Sequence, residues 1–326
     1  SGTSAIYLSL LSIGLKKGDV IIMPAINFIA SFNICNFLGA KIFLSDVNPI
    51  TGQMEPEHIL DCIKKYKIKK IRAIIVMYNG GYPENASKFL KFKKKYNCYV
   101  IEDACHALGA KYKVDKINYK IGSCKHADIS TFSLHPLKSI TTGEGGVVTT
   151  NSKVLNEKIK LFRSLGILRK NQIKHWDYDV VYSGLNFRLT DFQSALGISQ
   201  LKKIDLFIKF RKKIFNLYHK LLKDFDYIEL PKYDKNNNPA FHLFIISIKN
   251  FSVSKKEKLI KYMLKKGIIL QYHYKPIYLF KVFNGKFSFK KNSLKYYNSC
   301  VSLPIYFGLS DKKVRYIVKN LKLFFK

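Results

Sequence analysis

Short apolar runs alternate with longer amphipathic ones along this chain, and the period of each run predicts its element. Residues 5–14 repeat apolar positions at helical spacing and stop at Gly14, which places Ser1-Gly2-Thr3-Ser4 at a helix N-terminus. Residues 19–23, Asp19 followed by four apolar residues, end at Pro24 and read as a buried strand. Helices are expected over 27–38, 55–66 and 84–96, and strands over 41–44, 71–77 and 98–101, the last running into Glu102-Asp103-Ala104. Two further β-like runs, 129–132 and 147–150, bracket a loop that carries Pro136, Lys138 and several glycines. Beyond it come a helix over 153–165 closed by Gly166, a polar and aromatic loop over 169–183, and one long helical run from Phe192 towards Leu222. Strands over 226–230 and 241–248 flank a polar turn at 234–239. A helix over 255–266 ends at Gly267, and 268–270 read as a strand.

Strands alternating with helices imply an α/β chain whose mainly parallel sheet is covered on both faces. The boundary falls in the long helical run and gives a large domain over 1–208 and a smaller, βαβ-like one over 209–326. In such sheets ligands gather at the carboxyl ends of strands, where Asp46, Asp103 and Ser133 stand. Lys138 follows a strand end, and a lysine in a partly dry pocket can lose its proton and attack a carbonyl carbon. A solvated loop lysine is the competing reading in a chain with so many lysines.

With 326 residues, 47% of them apolar, the chain can bury a large core, and it has no apolar run long enough to span a membrane. No signal peptide is recognisable, and Ser1-Gly2-Thr3-Ser4 reads as the interior of a motif, so further residues are expected ahead of it. Six scattered cysteines lack zinc or CxxC spacing, which points to free thiols, no metal site and a cytoplasmic protein. The formal charge of +35 would favour polyanions, but only six of the 57 basic residues are arginine, the residue preferred for phosphate and base recognition. The lysines, spread among Ile, Asn, Tyr and Phe, read as the signature of an AT-rich genome. Neither nucleic acid nor membrane is expected as a partner.

Six segments in order carry a resemblance. They are Ser-Gly-Thr-Ser at 1–4, Glu-Asp-Ala-Cys-His at 102–106, Phe-Ser-Leu-His-Pro-Leu-Lys at 132–138, Thr-Gly-Glu-Gly-Gly at 142–146, Asn-Phe-Arg-Leu-Thr-Asp at 186–191 and His-Tyr-Lys-Pro at 273–276. With these the chain resembles, end to end, the DegT/DnrJ/EryC1/StrS family of sugar-nucleotide aminotransferases, which are fold-type I enzymes dependent on pyridoxal 5′-phosphate (PLP). The resemblance implies that Lys138 is the Schiff-base lysine and proton shuttle, and that Asp103 pairs with the pyridine nitrogen. It implies Gly2, Thr3 and Ser133 at the cofactor phosphate, Phe28 and His106 flanking the ring, and Asn186 reaching the phosphate of a neighbouring subunit, hence a homodimer with shared active sites. His273, Tyr274 and Lys275 would face the sugar nucleotide; Glu144 is expected to be a structural loop acid.

Segments 162–170, 193–203 and 273–278 are most similar to family members of pseudaminic acid biosynthesis. This implies amination of C4 of a UDP-linked 4-keto-6-deoxy-N-acetylhexosamine, with L-glutamate as donor. The segment 78–83 departs from those members, which leaves a dTDP-hexose or a GDP-perosamine precursor as alternative substrates. A basic binding protein that keeps the fold without catalysis is the rival from a different class, and the lysine at 138 argues against a related dehydratase, in which a histidine stands there.

Overall fold

Strand by strand, the period-2 alternation of the apolar runs divides their side chains between the two faces of a single sheet. The computed structural model describes residues 1–169, 176–250, 252–283, 285–288 and 290–326, so residues 170–175 of the expected 169–183 loop lie outside the described residues. The first part of the chain contributes β1 (Val20–Pro24), β2 (Lys41–Ser45), β3 (Ala73–Met77) and β4 (Tyr99–Asp103), then a hairpin of β5 (Lys111–Val114) and β6 (Ile117–Lys120), then β7 (Ile129–Ser133) and β8 (Gly146–Thr149). The main sheet has the order β2-β1-β3-β4-β7-β8, parallel except for β8, which runs against β7.

Helices α1 (Gly2–Ser12), α2 (Ile29–Phe37) and α5 (Lys153–Arg163) cover one face, while α3 (Pro56–Lys65) and α4 (Leu90–Tyr96) cover the other. Ile21, Met23, Ile75, Ile101 and Ile129 point to the α1/α2/α5 side, and Ile22, Ile74, Val76, Val100 and Phe132 point to the α3/α4 side. Every residue of β3 is buried, as a central parallel strand requires. Asp103 shares its parity with Ile101, so its carboxylate turns toward α2.

A minor antiparallel pair follows, β9 (Ile167–Leu168) with β10 (Asp179–Val180). The long helical run is two helices, α6 (Asp191–Leu201) and α7 (Ile204–Leu222), separated at Lys202-Lys203. The break lets α7 turn Ile208, Ile214, Phe215, Tyr218 and Leu222 into a second core while α6 buries nothing. That core also takes β13 (Phe244–Ile248), α8 (Val253–Lys265), β14 (Cys300–Leu303) and α10 (Asp311–Phe324), after β11 (Ile228–Glu229) and β12 (Asn237–Asn238), with α9 (Lys291–Ser299) ahead of β14.

Other expectations change too. The 84–96 helix begins only at Leu90, because Asn85 takes a left-handed conformation and a 3₁₀ turn, Ala86–Phe89, follows. The small sheet, β11-β13-β14, is antiparallel and not βαβ-like. Residues 268–270 do not pair as a strand. Gly267, at φ +71°, ends α8 and redirects the chain, and only Gln271 bridges to Ser302. The polar turn at 234–239 contains β12, which joins the β5–β6 hairpin and so ties the second part of the chain to the first.

Candidate active site

The carboxyl ends of β4 and β7, the tip of α1 and the strand ends of the second core enclose a cavity of about 1370 Å³. Asp103 closes β4 and is 3% exposed. Its Oδ2 accepts the Ser31 hydroxyl at 2.9 Å, and its Oδ1 accepts the Cys105 N–H at 3.4 Å. Two donors from two elements thus fix the carboxylate plane. Lys138 lines the same cavity from the loop after β7, half-buried, and no carboxylate pairs with its ammonium among the described residues. Burial pulls the lysine below its ordinary pKa, while the charge of Asp103 acts the other way. The result is an amine more readily deprotonated than a surface lysine. Cys105 keeps its proton, since burial and then Asp103 raise its thiol well above the usual range.

His106 is buried, its Nδ1 accepts the Gly80 N–H at 3.3 Å, and its Nε2 lies 2.9 Å from the Tyr274 hydroxyl. An acceptor at Nδ1 puts the single proton of the neutral ring on Nε2, which donates to Tyr274. Burial first, then the positive charge of Lys138, holds the ring neutral by lowering its pKa well below the usual range. The Tyr274 ring lies roughly parallel to that of His106 at 5.9 Å and meets Phe28 at 5.8 Å, so the three rings form one aromatic wall.

Ser1 caps α1, its hydroxyl accepting the Ser4 N–H at 3.1 Å, and Gly2 and Thr3 occupy the first turn, whose N–H groups have no carbonyl a turn behind them. A Cβ on Gly2 would stand 2.9 Å from the Ser133 Cβ, and one on Gly146 would overlap the Ser1 carbonyl. Two glycines therefore let the helix tip sit directly against the β7–β8 hairpin, which brings the Ser133 hydroxyl to an electropositive helix end. An amine, a fixed carboxylate, an aromatic wall and this oxyanion seat suit a ligand with an aldehyde, a basic ring nitrogen and a phosphate.

The structure thus gathers Gly2, Thr3, Phe28, Asp103, His106, Ser133, Lys138, His273 and Tyr274 around one cavity. His273 is anchored through Nδ1 to the Ser302 hydroxyl at 2.8 Å, and its carbonyl accepts from Tyr296 and Asn79. Two candidates stand apart. Asn186 is exposed and bridges to Ser164, and Lys275 lies off the cavity wall with its ammonium 5.2 Å from the Phe280 ring. Glu144 lines the rim, and its carbonyl accepts from Thr142 and Gln193, in keeping with a loop acid. Asp46, expected near the ligand, instead accepts the N–H groups of Asn292 and Ser293 and caps α9. Ser31, Arg211, His242 and Ser302 are contributors that the sequence did not reveal, whereas Gly80 belongs to the divergent 78–83 segment. The one available signal was His242, a polar residue inside the apolar run 241–248.

Residues 1–322 match the DegT/DnrJ/EryC1/StrS aminotransferase family. The UDP-4-amino-4,6-dideoxy-N-acetyl-beta-L-altrosamine transaminase of Campylobacter jejuni subsp. jejuni serotype O:23/36 is 35% identical, over 98% of this chain and 83% of its own length. The solved structure of Helicobacter pylori PseC, an aminotransferase involved in pseudaminic acid biosynthesis, is similar at a TM-score of 0.89 with 30% identity, over 100% of this chain and 85% of that one. The PLP-form of the sugar aminotransferase Spr1654 of Streptococcus pneumoniae gives a TM-score of 0.87 with 25% identity, over 99% of this chain and 85% of that one.

Proposed function

The chain belongs to the DegT/DnrJ/EryC1/StrS aminotransferase family and is a PLP-dependent sugar aminotransferase, and on that premise we propose that it moves the amino group of L-glutamate to C4 of a UDP-linked 4-keto-6-deoxy-N-acetylhexosamine. The observation that carries this reading is the convergence of Lys138, Asp103, Ser133 and the tip of α1 on one cavity. When bound, PLP supplies an electron sink for the substrate carbon that loses its proton. In this reading Lys138 holds the cofactor and, as a free amine, accepts and returns the proton at the reacting carbon. Asp103, fixed by Ser31 and Cys105, faces the ring nitrogen and favours its protonated form. Gly2, Thr3 and Ser133 receive the phosphate. His106 and Phe28 belong to the aromatic wall that lies along the ring, and His273 and Tyr274, which line the cavity as Lys275 does not, meet the sugar nucleotide.

A homodimer with shared sites belongs to the same reading. It is supported by α6, which buries no residue and carries Phe192 at 90% exposure close to Asn186, the residue proposed to reach the partner's phosphate site. No described helix is long and apolar enough to cross a membrane. All six cysteines are free, which supports a place in the reducing cytoplasm.

A different nucleotide-linked keto sugar is the second reading. It is favoured by the divergent 78–83 segment, because Gly80 binds His106 directly, one hydrogen bond from the cavity. Mass spectrometry of products from UDP-, dTDP- and GDP-linked 4-keto sugars, each supplied with glutamate, separates the two. The first reading predicts an amino product chiefly from the UDP-linked N-acetylhexosamine. Preference for a dTDP or GDP sugar would select the second, and no amino product from any sugar would contradict both.

A further inference from the structure

Arg211 projects from α7 into the cavity wall and is only 6% exposed. Its Nη1 donates to the carbonyls of His242 at 3.1 Å and Ile305 at 2.9 Å, and its Nε finds no acceptor. No carboxylate forms an ion pair with it among the described residues. The two acids that line the cavity are occupied elsewhere or open to water: Asp103 is held by Ser31 and Cys105, and Glu144 stands on the rim near His135. Burial alone lowers the guanidinium to about 10. Two carbonyl acceptors would be served as well by a neutral donor. A buried cation with no anion carries a large desolvation cost, so buried charges are normally paired.

His242 stands beside it in the same wall, also 6% exposed, with its Nδ1 unpartnered. Its backbone is clamped on both sides, the N–H to the Gly80 carbonyl at 3.0 Å and the carbonyl to Arg211. The residue before it, Phe241, takes φ +50° while fully buried, a conformation that a bulky side chain adopts only when its surroundings impose it. The imidazole then lies 4.4 Å from the His106 ring. A strained turn and two clamped backbone groups hold a cation and an imidazole at one place in the wall, each with one nitrogen unfilled.

We propose that Arg211 and His242 form an anion subsite of the cavity, which takes a carboxylate or phosphate oxygen of a substrate while Lys138 faces its reacting carbon. The anion supplies the counter-charge that the protein withholds from Arg211, and the guanidinium and an imidazole N–H give it charge-assisted hydrogen bonds. The placement of the reacting carbon rests on the aminotransferase reading; the anion subsite itself does not.

The test is titration calorimetry on the full chain without turnover, with glutarate standing for the donor's carboxylates and uridine diphosphate for the sugar nucleotide. Arg211→Gln removes the cation, whereas His242→Phe removes the imidazole nitrogens and keeps both the ring and the backbone bonds. Arg211→Gln should weaken one of the two ligands by about tenfold or more, and His242→Phe should weaken the same ligand by at least roughly threefold. Loss for glutarate assigns the subsite to the amino donor, and loss for uridine diphosphate assigns it to the sugar nucleotide. The proposal is overturned if the unsubstituted chain binds neither ligand, or if either folded variant binds both as the unsubstituted chain does. Should Arg211→Gln fail to fold, His242→Phe decides alone. None of these outcomes depends on whether Lys138 attaches a cofactor.

Discussion

Three imidazoles, those of His106, His242 and His273, share the cavity with Lys138, and burial, reinforced by that lysine, depresses the pKa of each. Folding is therefore linked to pH. An imidazole with a depressed folded pKa contributes stability above its unfolded value near 6.5, and that contribution is lost as pH falls through the folded value. For His273 the folded value is about 4, so the window runs from pH 6.5 down to about 4. The shift corresponds to at most about 3 kcal/mol. His273→Gln, which can still bond Ser302, should flatten that part of the acid limb. Urea titrations at a series of pH values check this, and an unchanged acid slope would contradict it. At this scale Lys138 and Asp103 were legible because their motifs are contiguous in sequence. Ser31 was not, since its bond to Asp103 joins residues 72 apart. Arg211 and His242 escaped for the same reason, because only the fold shows that a cation in a helix faces a histidine ahead of a strand. The glycines of the 142–146 segment promised a close approach without naming its partner, and for Gly146 that partner is the Ser1 carbonyl.

Helix α6 forms for local reasons and touches the rest of its chain only lightly, through the Gln193 bond to the Glu144 carbonyl and the approach of Gly197 to Thr142. Thr190 and Gln193 make a reciprocal capping box, yet none of the helix's residues is buried, and Phe192, Leu196, Ile198 and Leu201 are all exposed. An exposed apolar face of this kind is the feature that the proposed homodimer would cover. If the chain forms the proposed homodimer through α6, Phe192→Asp should sediment as a monomer at micromolar concentration where the unsubstituted chain sediments as a dimer, whereas a dimer that survives the substitution would remove α6 from the interface. The start of α5 was read where Ser152 caps it through its hydroxyl, whereas α8 begins at Val253, two residues ahead of the expected start, behind a Ser252 cap, and α10, capped by Ser310, was not expected. The break between α6 and α7 was not readable, because the apolar spacing continues across Lys202-Lys203 and only the demand of the second core separates them. Asp46 shows the opposite limit. A strand-end carboxylate is a sound candidate for ligand binding, but here a helix from the other half of the chain claims it as a cap.

On the scale of the whole molecule, the cavity lies where the core built on α7, β13 and α10 meets the carboxyl ends of the mainly parallel sheet. The Tyr274–His106 bond, the Asp46 cap of α9 and the Asn79–Tyr296 bond tie the two halves together around it. Alternation of strand and helix was enough to read the first layer system and the side of the sheet on which ligands gather. The antiparallel order of the small sheet was hidden, since its strands are few, short and separated by the long excursion that delivers His273 and Tyr274. The lysine-rich composition, with its formal charge of +35, fits a cavity that receives anionic molecules but selects none of them. The aminotransferase chemistry turns on Lys138 as the point of cofactor attachment. The most direct measurement is borohydride reduction of the full chain after incubation with PLP, followed by peptide mass spectrometry. A pyridoxyl-phosphate mass is expected on the peptide that contains Lys138, lost in Lys138→Ala. Labelling spread over surface lysines, and unchanged in that variant, would contradict it.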